Sequence, residues 1–179
     1  SYNILNEKAK RGLLFTNTRS YVRIKRDEFT SIPSTYTDLQ LNYAVRTNRS
    51  DYSADEMFIK FNSSSTSYSV RHISGAGGTA SSGTGSTSAI NRNWAVGNTA
   101  LGSMFSNQML YIPNYTSSTY KAVLVDGMVE NNSSTEYWIA QTAGLWSNTS
   151  AITSIAMTPE VGSLVLQYST ATLYGIKNS

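Results

Sequence analysis

In the run Asp38-Leu39-Gln40-Leu41-Asn42-Tyr43-Ala44-Val45-Arg46-Thr47, four apolar side chains alternate with Gln40, Asn42, Ala44 and Arg46. Successive side chains of a strand point to opposite faces, so this period of two gathers Leu39, Leu41, Tyr43 and Val45 on one face. The spacing predicts a half-buried strand. Met57, Ile59 and Phe61 repeat the pattern, as do Tyr68, Val70 and His72 with Ser69 and Arg71 outward.

Further runs follow at 89–96, 103–112, 120–129, 136–145, 151–158, and 163–167 with 171–176. In Tyr120–Val129 both faces are apolar, which suits a central strand. Turn residues punctuate the series: Pro113-Asn114, Asp126-Gly127, Asn131-Asn132, Ser147-Asn148, and Pro159 with Gly162. Helix signals are nearly absent. About eight to ten short strands with regular turns predict an all-β fold, a two-sheet antiparallel sandwich of jelly-roll type. A domain over 29–179 is expected, preceded by an extended arm over 1–28. The stretch 74–88, SGAGGTASSGTGSTS, has no large side chain to bury and reads as a flexible or flat-lying loop. It is either a tolerated insertion or a contact loop for a neighbouring subunit or a glycan.

Only 14% of residues are charged, against roughly 25% in ordinary domains, and Ser, Thr, Asn, Gly and Tyr take their place. Such a surface is polar yet insensitive to salt and pH, as suits a particle exterior. No Cys is present, which excludes disulfides and thiolate chemistry. No run of 18 apolar residues predicts a membrane helix, and the first 15 residues lack a secretory h-region. Cytoplasmic synthesis followed by release on lysis is the expectation.

Charge is lopsided. Lys8, Lys10, Arg11, Arg19, Arg23, Lys25 and Arg26 face only Glu7 within residues 1–26, a net +6, while the remainder is −3. The alternation in Tyr21-Val22-Arg23-Ile24-Lys25-Arg26 suits a strand added to a sheet edge or to a neighbouring subunit. These seven cations are therefore partner-contact candidates. Acidic protein surface is the favoured target over nucleic acid.

Catalytic constellations are hard to assemble. His72 is the single histidine, so neither a histidine zinc site nor a Ser-His-Asp triad has support, and no Gly-x-Ser-x-Gly elbow occurs. Asp51, Asp55 and Glu56 form the tightest acidic cluster, readable as solvated turn charges or as an oxygen cage, but they lack calcium-loop spacing. No cofactor, metal or catalytic residue is expected. Asn-x-Ser/Thr triplets are frequent in so Asn- and Ser-rich a chain, and no glycosylation is assigned. Aromatic residues are the more suggestive class. Tyr111, Tyr115 and Tyr120 flank the Ile112-Pro113-Asn114 turn and are candidate surface contacts, since such rings suit protein interfaces and sugar stacking.

Four segments carry a resemblance: 29–39 (FTSIPSTYTDL), 111–119 (YIPNYTSST), 144–155 (GLWSNTSAITSI) and 168–176 (YSTATLYGI). Their order from Phe29 to Lys177 resembles a family of tailed-bacteriophage virion structural proteins. The resemblance implies a β-sandwich on the particle exterior, with no catalytic residues. The expected role is capsid decoration (cement), with the major capsid protein and further copies of the chain as partners, a trimer being the expected oligomer. The alternative is a tail-fibre module that recognises host-surface glycan. The basic leader lies outside the resemblance.

Overall fold

The computed structural model describes residues 11–18, 27–132 and 137–177. Those residues form twelve strands and no helix: β1 (Arg11–Thr18), β2 (Asp27–Phe29), β3 (Asp38–Ala44), β4 (Ala54–Phe61), β5 (Tyr68–Ala76), β6 (Thr79–Thr84), β7 (Trp94–Val96), β8 (Asn107–Ile112), β9 (Lys121–Val129), β10 (Trp138–Trp146), β11 (Ile155–Pro159) and β12 (Thr170–Ile176). They make two antiparallel sheets, one of eight strands in the order β1-β12-β3-β8-β9-β10-β5-β6 and one of four, β2-β11-β4-β7. The expected two-sheet sandwich is the architecture found.

The period of two explains the layering. Leu39, Leu41 and Tyr43 of β3, Leu110 and Ile112 of β8, Val123 and Val125 of β9 and Leu173 of β12 turn inward from the larger sheet. They meet Met57, Ile59 and Phe61 of β4 and Ile155 and Met157 of β11 from the smaller one. Trp146 ends β10 inside this core, stacked on Tyr68 with ring centroids 6.2 Å apart and edge-on to Phe61 at 5.7 Å. A second, smaller cluster forms at one end, where Ala54, Val96 and Val129 lie under Trp94 and Trp138.

Two expectations change. The 74–88 stretch is not a loop: its first part continues β5 and its middle forms β6, joined through Gly77 and Gly78. Both glycines hold positive φ, 53° and 82°, which is what a two-residue hairpin turn demands and what residues with a Cβ adopt only at a cost. β6 needs no large side chain because it lies at the sheet edge, with no residue buried. Residues 163–167 form no strand; Val165 contributes a single bridge to Thr47.

Within the basic 1–28 segment, Arg11–Thr18 runs antiparallel to β12, pairing Arg11 with Ile176 and Thr18 with Thr170. Asp27–Phe29 adds to the smaller sheet beside β11.

Candidate interaction surfaces

The sequence candidates divide sharply. Tyr115 is fully buried and its hydroxyl donates to the Pro33 carbonyl, so it is a core residue and not a surface contact. Tyr111 is half-buried, and its hydroxyl donates to Asp38 Oδ2 at 2.8 Å while Asn114 N donates to Oδ1. That hydrogen bond to a carboxylate, with some burial, raises the Tyr111 pKa. Tyr120 alone of the three stands out, 59% exposed. Of the seven basic candidates, Arg11 lies on the backbone of β1, and Lys8, Lys10, Arg19, Arg23, Lys25 and Arg26 fall outside the described residues.

The acidic cluster is taken apart by the fold. Asp51 is exposed and held by Arg49 at 2.9 Å, which lowers its pKa. Asp55, near the start of β4, is buried and accepts from Thr47 Oγ1 at 2.9 Å and from the amides of Val161 and Gly162 at 3.2 and 2.9 Å. Glu56 is buried too, accepting from Asn91 Nδ2 and Arg92 N at 3.0 Å each. Burial raises its pKa, opposed by the nearby Arg92 guanidinium. Asp55 and Glu56 are thus latches between segments rather than solvated turn charges. Among the described residues no group of three His, Asp or Glu side chains is placed to hold a metal ion.

Two buried cations also serve the scaffold. Arg46 donates to the carbonyls of Leu101, Ala100, Asn98 and Met104 at 2.7 to 3.4 Å, gathering the 97–106 connection around one guanidinium. Lys121 Nζ donates to the carbonyls of Ser117 and Thr119 at 2.7 and 2.5 Å, and burial lowers its pKa. His72 turns toward the inner face of β5 and its ring lies against Gly83 of β6. Desolvation, then the Arg92 charge, lowers its pKa.

Among the accessible residues, the large apolar and aromatic ones gather in a few places. Alternate residues of β5, β9 and β10 face solvent, and Ile73, Leu124, Met128 and Ile139 on them are 40 to 60% exposed. Ile139 sits directly opposite Met128, and Ile73 lies diagonally across at the level of Gln141 and Asp126. Gly75 and Ala80 floor a shallow concavity of about 700 Å³ walled by Ile73 and Ile139. The composition hid this face, because β9 reads as a strand apolar on both sides; its outer side is open. A second concavity, about 560 Å³, is lined by Phe105, Leu166 and Tyr168. Tyr168 is 68% exposed with its backbone at φ 68°, a conformation uncommon for an aromatic residue. Trp94 and Trp138 stack at 6.2 Å, with Tyr52 edge-on to Trp138 and Arg49 over the Tyr52 ring.

Comparison of the chain with protein-family models, with curated proteins and with solved structures finds no match.

Proposed function

We propose that the chain is a non-enzymatic structural protein of a tailed-phage virion, a capsid decoration protein that binds the outer shell as a symmetric homo-oligomer. The observation that carries this reading is the commitment of the buried charges to the scaffold. Asp55, Glu56, Arg46 and Lys121 each spend their hydrogen bonds on backbone or neighbouring side chains. Reactive groups poised for chemistry need capacity left over for a substrate; these latches serve rigidity. The sparsely charged exterior and the resemblance of the 29–177 motifs to virion proteins point the same way. Multiple weak contacts repeated over a lattice then add up by avidity.

The test is co-sedimentation of the purified chain with capsids that lack it, followed by heating of the particles. Saturable binding with increased particle heat resistance is expected; absence of binding overturns the reading. A glycan-recognising tail module is the second reading, favoured by the exposed Tyr168 beside the Phe105 concavity, since exposed rings stack on sugars. Binding to host cells or a glycan array without capsids would select it.

A further inference from the structure

We propose that the outer face of the larger sheet, centred on Ile73, Leu124, Met128 and Ile139, is the surface on which a second copy of this chain docks. This rests on, and gives a location to, the self-association part of the function proposed above. Four large apolar side chains gathered on one solvent-facing sheet mark an interaction site rather than chance exposure, whereas the other exposed large apolar residues, Leu101, Tyr120, Val161 and Tyr168, lie on connections.

The charges around the patch argue for an identical partner. Arg71 and Asp126 are both outward on this face, Asp126 between Leu124 and Met128 on β9 and Arg71 at the margin beside Ile73 on β5. They stand two strands and two residues apart, about 12 Å at ordinary sheet spacings. Neither meets an opposite charge among the described residues. A two-fold axis lying in the contact plane can set Arg71 of each copy against Asp126 of the other, satisfying both charges twice over. An isologous contact requires self-complementarity of this kind. A strongly acidic or basic partner would satisfy one charge and oppose the other.

Size and shape agree. The five strands β8, β9, β10, β5 and β6 present a face of roughly 24 by 24 Å, on the order of what one partner contributes to a stable interface. Gly75 and Ala80 keep the β6 side low, so nothing there holds a second sheet away. β6 also lacks the Lys or Pro residues that guard exposed edges against association.

Sedimentation equilibrium on the full chain, without particles, tests the proposal. The unaltered chain is expected to self-associate, and Ile139→Lys to weaken that association by about tenfold or more. Asp126→Arg should weaken it as well, and Arg71→Asp added to Asp126→Arg should restore it. Thermal melts by circular dichroism establish that each variant is folded; all three positions are exposed. A monomeric unaltered chain, an Ile139→Lys chain that associates as before, or a charge swap that restores nothing overturns the inference. Unchanged association with lost capsid binding in Ile139→Lys assigns the face to the particle and also overturns it. A chain that self-associates through this face but binds no capsid keeps the inference and removes the function proposed above.

Discussion

Arg46 shows how one residue can be read two ways. By spacing it belongs to the solvent face of the 38–47 strand, yet it is buried, and its guanidinium closes on four carbonyls of the 97–106 connection. Removing it leaves those carbonyls without their donor, and an unsatisfied buried polar group is costly. Arg46→Ala is expected to lose about 3 kcal/mol in chemical denaturation, and Arg46→Lys to lose less. His72 gives a pH signature. Its folded pKa is depressed below the unfolded value of about 6.5, so the unfolded state binds the proton more readily. Its stabilising contribution is therefore complete above about pH 6.5 and is lost as pH falls through the folded value. Melting temperature should decline less between about pH 7 and 5 in His72→Gln than in the unaltered chain, and equal declines would assign that loss to carboxylates instead. Tyr115 marks the limit of residue-scale reading. A tyrosine beside a Pro-Asn turn looks identical in sequence whether its ring points out, as at Tyr120, or inward to the Pro33 carbonyl, 82 residues away along the chain.

At the scale of elements, legibility followed side-chain size. Strands facing the core on one side, such as β3 and β4, declare themselves because burial forces large residues into every second place. β6 has no such obligation. Its residues TASSGT are exposed and held by main-chain pairing to β5, so its sequence carries no apolar rhythm and resembles a linker. The only local signal was Gly77-Gly78, a hairpin dipeptide. The same reasoning predicts where the hairpin is vulnerable. A β-branched residue at Gly78, where φ is 82°, meets the steric conflict that excludes L-residues from that region, about 1–2 kcal/mol. Gly78→Val should speed amide exchange across Thr79–Thr84 while β8 to β10 exchange as before. Uniform acceleration across the larger sheet would mean that the hairpin is not an independently opening unit. The outer apolar face was half legible: Leu124 and Met128 were visible as apolar residues, but solvent on that side of β9 is a property of the unequal split between eight strands and four. That split depends on which distant strands pair, and no local pattern reports it.

For the whole molecule, connectivity is the controlling fact. β12, the last of the described strands, lies between β1, the first of them, and β3, so the larger sheet cannot be completed until Arg11–Thr18 meets Thr170–Ile176. Ala171 and Leu173 of β12 are buried in the core, whereas β1 has β12 as its one neighbour among the described strands. The two strands should therefore differ in what they contribute. A chain shortened by residues 170–179 would leave β3 unpaired on one side and the core open at Leu173, and losses of this kind exceed the roughly 5–15 kcal/mol that hold a domain together. It is expected to give no cooperative thermal transition. Loss of β1 would remove, among the described strands, only the ladder with β12, so a chain shortened through residue 18 is expected to keep a cooperative transition at a lower melting temperature. Pairing between sequence-distant strands must be preceded by closure of long loops, so refolding of the full chain should take milliseconds to seconds rather than microseconds. Stopped-flow fluorescence of a chain carrying Trp94→Phe and Trp138→Phe, in which Trp146 at the buried end of β10 is the one remaining tryptophan, reports core closure directly. A microsecond phase carrying the whole amplitude would show that the core forms before β1 and β12 meet, and β12 would then play no controlling part in closing it.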